Sequence, residues 1–241
     1  MKELKEYIVN ENNFFKNLGV GQVALIKDWL EKHSVIRHGD YTINPDMTID
    51  VDGYVLLAYY PEKEFPDYIQ FGNIKYGFSV VNSEKLETLR GCPRKCRNFS
   101  CDNCKKLKSL EHSPIECESF SCSHCHSLES LRGVPQKCDK INCQDCNGLT
   151  SLEGLEHYKI LEEIKCNYCN NLTSLKGTPE KCFDLDCSNC PKLMSLEYAP
   201  KSMMFLRCRK CGGHFTSGYL IQNGIKAYRY EVDKESKLQK N

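Results

Sequence analysis

A period constrains this chain more than any other feature. Cys-x-x-Cys pairs begin at Cys101, Cys122, Cys143, Cys166, Cys187 and Cys208, in steps of 21, 21, 23, 21 and 21 residues. A fixed step in this range belongs to solenoids, in which each coil buries one face against its neighbours. The rest of the unit keeps the same register. Three residues after each pair stand Leu107, Leu128, Leu149, Leu172 and Leu193, and three further on Leu110, Leu131, Leu152, Leu175 and Leu196. Five residues before each pair the column reads Cys96, Cys117, Cys138, Leu161, Cys182 and Met203, and two before it Phe99, Phe120, Ile141, Ile164, Leu185 and Leu206. The unit is C-x-x-φ-x-C-x-x-C-x-x-L-x-S-L-x-G-x-P, with φ apolar. Its first, fourth and sixth positions point inward from a short strand, and the ninth turns inward at the bend. Gly133, Gly154 and Gly177, with Pro93, Pro114, Pro135, Pro179 and Pro200, supply the bend and an extended return.

Composition narrows the class. All seventeen cysteines fall between Cys92 and Cys211, and an odd number leaves at least one thiol unpaired. Lys plus Arg (33) almost cancels Asp plus Glu (32), which argues against a strongly basic nucleic-acid binder. No apolar run approaches the roughly 18 residues of a membrane helix, and MKELKEYIVNE is too charged for a secretory signal. The reading is a soluble protein with mostly reduced thiols.

The repeat resembles the leucine-rich repeat in its short form, with cysteine at the turn position often held by asparagine. LDCSNCPKLMSL (185–196) and INCQDCNGLTSLEG (141–154) carry the likeness. It implies a leucine-rich-repeat solenoid with short parallel strands on the concave face and an irregular, extended convex side. A small α+β cap precedes the repeats and a short β cap follows them. The expected organisation is a leader at 1–11, an N-terminal α+β cap at 12–54, degenerate first coils at 55–84, repeats at 85–211, and a C-terminal cap and tail at 212–241. In the first cap, Val23, Ile26, Trp29 and Leu30 fall on one helical face, and YTINPDMTIDVDG (41–53) reads as a hairpin. In the second, FTSGYLIQNGIKAYRYEV (215–232) reads as one or two strands around Asn223-Gly224.

Two at a time, the pairs also spell zinc: Cys101, Cys104, Cys122 and Cys125 have the spacing of a four-cysteine site. The same spacing follows automatically from a 21-residue repeat, and cysteine packs well as a small apolar body. The main reading is therefore a buried thiol ladder with no metal ligand and no cofactor. Zinc at the CxxC pairs is the alternative, with His124, His126 and His214 beside the best-placed pairs.

The expected binding surface is the concave face, on which we place Ser121, Asn142, Gln144, Lys165, Tyr168, Asp186, Arg207 and Arg209. These are small, polar and mixed in sign, and suit a protein partner better than nucleic acid. No nucleophile–base–orienter set, glycine-rich phosphate loop or HExxH motif occurs, so the chain does not read as an enzyme.

The first eleven residues set Met1, Leu4, Tyr7 and Ile8 as one stripe among Lys and Glu. This is similar to the capsid-targeting peptide of internal head proteins of large tailed bacteriophages, which is cut after a glutamate. The likeness implies cleavage between Glu11 and Asn12, although Val9-Asn10 stands where that family carries Leu/Ile-x. Cysteine-punctuated repeats of this style are likewise similar to those of phage and prophage proteins. Together the resemblances imply a phage-encoded, protein-binding solenoid in the phage head interior or the host cytoplasm, or both, with no membrane segment. Two alternatives stay open: a zinc-stapled structural protein, and a cytoplasmic binding module with no virion role.

Overall fold

The computed structural model describes residues 19–234; the leader sequence and the Glu11–Asn12 junction lie outside them. The chain forms a parallel-strand β-solenoid of about nine turns. Its strands are β1 (Ile36–His38), β2 (Tyr41–Ile43), β3 (Ile49–Val51), β4 (Tyr54–Ala58), β5 (Phe71–Ile74), β6 (Gly77–Val81), β7 (Asn98–Ser100), β8 (Ser119–Ser121), β9 (Lys140–Asn142), β10 (Ile160–Lys165), β11 (Lys181–Asp186), β12 (Ser202–Arg207) and β13 (Lys226–Glu231). One ten-stranded sheet runs β1-β4-β6-β7-β8-β9-β10-β11-β12-β13. From β4 onward every neighbouring pair is parallel, and β1 lies antiparallel to β4. A second sheet, β2-β3-β5, contains the hairpin read at 41–53.

The repeat columns become vertical stacks. Phe78, Phe99, Phe120, Ile141, Ile164, Leu185 and Leu206 are in register across neighbouring strands and buried. Their first three rings lie nearly parallel, with centroids 5.8 and 5.2 Å apart. The leucines of both columns and all seventeen cysteines are buried, and every cysteine is a free thiol.

Between the two cysteines of each pair the chain enters the left-handed region. Asn103, His124, Asp145, Tyr168, Asn189 and Lys210 have φ between 53° and 63°. Asn and Asp tolerate that conformation better than most residues, and four of these six positions carry Asn, Asp or His. The bend folds both flanking cysteines into the core. Its amide also extends the inter-coil ladder, with Asn103, His124, Asp145, Tyr168 and Asn189 each donating to the next coil at 2.8–2.9 Å. Tyr59 and Asn82 repeat the conformation upstream, so the same coil geometry begins at β4. At the far corner Gly154 has φ +117°, and a Cβ there would lie 2.3 Å from the Leu131 carbonyl carbon, so only glycine fits.

The ends are closed differently. A helix over residues 19–33, α1, buries Ile26, Trp29 and Leu30 against the first coils. The Trp29 ring meets Tyr60, Phe65 and Phe71 at 5.8–6.4 Å. The C-terminal cap corrects the all-strand reading of 215–232, because its first half is a helix, α2 (Ser217–Gln222). The Thr216 hydroxyl caps its N-terminus by accepting from the Tyr219 amide at 3.3 Å. Asn223-Gly224 ends this helix, with Gly224 at φ +66°, and is not the turn of a hairpin. The following strand, β13, then joins β12 in parallel.

Candidate interaction surface

Strands β7–β9 are three residues long, whereas β10–β13 are six. In β10–β12 the buried positions are the second and fifth, so two consecutive residues between them face outward. The sheet's outer surface is therefore broader in its C-terminal half.

Five residues expected at the surface form one row along that sheet. Ser121, Asn142, Lys165, Asp186 and Arg207 pair in sequence across β8–β12, and Arg207 pairs with Glu231 of β13. All five are half-buried. Gln144, Tyr168 and Arg209 are not on the strands; they lie in the bend that follows, with Tyr168 at its left-handed position.

Charges in this row are already partnered. Arg207 Nη1 lies 2.6 Å from Asp184 Oδ1, and its Nε lies 3.9 Å from Glu231. Arg209 reaches the same glutamate at 3.5 Å, and Lys165 Nζ lies 2.8 Å from Glu163. The row's N-terminal end is neutral and self-satisfied. Ser121 Oγ donates to Asp102 Oδ1 at 2.6 Å, and the Ser123 amide donates to the same oxygen at 2.8 Å.

Three exposed apolar side chains on neighbouring strands are absent from the sequence-based set. Phe183, Met204 and Tyr228 are exposed on β11, β12 and β13. Phe205 is half-buried beside them, with the Arg207 and Arg229 guanidinium groups each 5.8 Å from its ring centroid. Phe205, Arg207 and the Tyr228–Glu231 segment line an open depression of about 460 Å³. The sequence did carry a signal for them. The column after each first cysteine position reads Arg97, Glu118, Asp139 and Glu162, and then turns apolar at Phe183 and Met204.

The thiols make ordered contacts in the core. Cys104 Sγ donates to the Val80 carbonyl, and Cys125, Cys146, Cys169, Cys190 and Cys211 donate to the carbonyls of Cys101, Cys122, Cys143, Cys166 and Cys187, all at 3.0–3.2 Å. The ninth position of each unit thus hydrogen-bonds the sixth of the unit before. Burial pushes the thiols of Cys96, Cys104, Cys182, Cys190 and Cys208 up to about 12. Cys117 and Cys138 touch sulfur to sulfur at 3.7 Å. That hydrogen bond, then burial, keeps Cys117 protonated, while accepting it lowers the Cys138 thiol. Burial thus disfavours at most of these thiols the thiolate that nucleophilic catalysis needs, while accepted hydrogen bonds shift Cys138 and Cys211 the other way.

Among the described residues no group of three or more His, Cys, Asp or Glu side chains is gathered as a metal site. His124 and His126 sit at an outer bend around Asp145, with ring nitrogens 2.8 and 4.0 Å from Oδ2. Also among the described residues, no helix is long and apolar enough to cross a membrane. Comparison with protein-family models, with curated proteins and with solved structures finds no match.

Proposed function

We propose that this chain is a non-enzymatic, protein-binding solenoid of leucine-rich-repeat type whose binding face is the outer surface of β10–β13. One observation carries the reading: Phe183, Met204 and Tyr228 stand exposed on consecutive strands of one sheet, beside two arginines that flank Phe205. Aromatic residues, Met and Arg are the types enriched in interface cores, and anchors of this kind dominate binding energy. The paired Asp184, Arg207 and Glu231 around them give a polar rim. The near-neutral charge favours a protein over nucleic acid. A non-catalytic role is supported by the thiols, since the abundant nucleophile-type side chains are buried and mostly held protonated.

Site-specific photo-crosslinking in the source cells tests this. A crosslinker at position 183 should capture a discrete partner, with capture competed by wild-type chain and not by the Phe183→Asp/Met204→Asp variant. The same crosslinker at Ser119 on β8 should capture nothing comparable. Equal capture at both positions, or none at either, refutes the assignment of the face. The phage-head version of the proposal rests on the likeness of residues 1–11 to a capsid-targeting peptide. Mass spectrometry of virions should then find a peptide starting at Asn12; finding only intact chains from Met1 in lysate would remove that version.

A further inference from the structure

The two edges of the main sheet are not equivalent. At one edge β1 is a three-residue antiparallel strand carrying Arg37 and His38. Short, charged strands of this kind are how natural sheets blunt an edge. At the other, β13 is six residues long and, among the described residues, has a neighbour on one side only. Its core is also incompletely closed. The column Ile164, Leu185 and Leu206 is fully buried, yet its next member, Tyr230, is 48 % exposed. Solenoid stacks need their last coil covered.

The sequence of this edge is complementary to itself. In β13, Ala227 and Tyr230 continue the buried columns of Met203 and Leu206, while Lys226, Arg229 and Glu231 continue outward positions, and Tyr228 is exposed beside Arg229. From Lys226 to Glu231 the order is therefore out, in, out, out, in, out, which reads the same in both directions. Two such strands laid antiparallel about a two-fold axis between Tyr228 and Arg229 match core-facing with core-facing residues. Each Lys226 then faces Glu231 of the second copy, each Arg229 faces Tyr228, and the small Ala227 faces the large Tyr230. Opposite charges and small–large pairs at directly facing positions are what stabilise a strand pair, and a ring beside a guanidinium adds a cation–π contact.

We infer that this chain forms a symmetric dimer by antiparallel pairing of β13 with β13 of a second copy, which joins two ten-stranded sheets into one. The inference shares Tyr228, Arg229 and Glu231 with the proposed binding face but rests on the edge of the sheet, and its test reads oligomeric state alone. If both hold, the dimer displays that face twice, on either side of the two-fold axis, so that a repetitive partner is bound with avidity.

Sedimentation velocity of the full chain under reducing conditions tests it. The expected species at micromolar concentration has about twice the 27.8 kDa chain mass. Lys226→Glu sets like charges opposite each other at two places and should weaken the dimer roughly tenfold or more. Glu231→Lys should do the same, and an equimolar mixture of the two variants should recover dimer, because only the mixed pair restores both opposite-charge contacts. Circular dichroism of each variant confirms that the coils remain folded; among the described residues Lys226 makes no side-chain ion pair, whereas Glu231 pairs with Arg207 and Arg209, so Lys226→Glu is the cleaner variant. A monomeric full chain overturns the inference, whatever then covers the edge. So does a dimer that neither substitution weakens, or a mixture that shows no recovery, since each places the interface or its register elsewhere.

Discussion

Raising the pH should unfold this protein abruptly, because most of the thiols that line its core ionise more readily outside it, Cys138 and Cys211 being the exceptions. A cysteine thiol in an unfolded chain has a pKa near 8.5. In the fold, burial raises Cys96, Cys104, Cys182, Cys190 and Cys208 to about 12. Between those values the unfolded chain has released protons that the native chain retains. The thiols' contribution to stability is therefore complete below about pH 8.5 and is lost as pH rises toward 12. One such group lowers stability by about 1.4 kcal/mol per pH unit, so these five alone give a slope on the order of 7 kcal/mol per unit. Cys92, Cys101, Cys122, Cys143, Cys166 and Cys187 are shifted in the same direction and steepen it. Against a typical domain stability of about 5–15 kcal/mol, the transition should fall within about one to two units above pH 8.5. Urea melts at successive pH values under reductant, followed by circular dichroism, give the slope; thiolate absorbance on the same samples reports ionisation. The two signals should rise together and reverse on return to neutral pH. A slope below about 2 kcal/mol per unit, or thiolate appearing while the coils stay native, would refute the burial argument. A zinc-stapled fold would behave oppositely, destabilising on the acid side and on chelation.

Five further substitutions test the packing. Cys146→Ala removes a buried body and the donor to the Cys122 carbonyl at 3.0 Å, and should cost about 2–4 kcal/mol in urea melts; Cys182→Ala, in a column that also accepts Leu161 and Met203, removes a donor to the Asp184 carbonyl of its own strand and should cost about 1–2 kcal/mol. Gly154→Ala forces a Cβ against the Leu131 carbonyl at φ +117°, so it should cost more than about 3 kcal/mol or prevent folding, read as loss of soluble chain or melting temperature. Leu152→Ala, fully buried, should cost about 2–5 kcal/mol, and Ser121→Ala about 1 kcal/mol. A surface substitution ordinarily stays within about 0.5 kcal/mol; the 2.6 Å bond of Ser121 to Asp102 raises the expectation here.

The solenoid was legible because stacking repeats one environment many times, so each column samples the same constraint independently. Leu, Phe and Ile in register needed no structure to be placed inside, nor did the hairpin at 41–53 or the face of Ile26, Trp29 and Leu30. Residues 215–222 were misread because a six-residue helix carries under two turns of periodicity, and its decisive marks are caps. Thr216 and Asn223-Gly224 are equally common signals of turns between strands. The surface was legible in part. One outward row, between the fourth and sixth positions of the unit, was placed on the surface, yet the two residues between the first and fourth were not. β10–β12 extend over both of them, which brings Phe183 and Met204 onto the sheet.

The cysteine columns show most clearly what a sequence states and what it withholds. Exchange of Cys with Leu161 and Met203 marks the first column as a demand for apolar volume. The sixth and ninth columns never exchange across six units, and apolar volume does not explain that. For the ninth column the geometry does: its thiol donates to the sixth-position backbone carbonyl of the coil before, whereas the sixth-position thiols of Cys101, Cys143 and Cys187 donate to carbonyls of the following coil at 3.3–3.5 Å. The side chain there must be small, apolar enough to sit in a dry core, and able to donate a hydrogen bond, though weakly. Leu and Met lack the donor, and a serine hydroxyl is shorter and costs more to bury. Cysteine meets all three demands, so hydrogen bonding to a backbone acceptor accounts for a spacing that also spells a metal site. The same demand repeated along the stack concentrates ionisable groups in the core, and it ties the fold's existence to a pH at which thiols keep their protons.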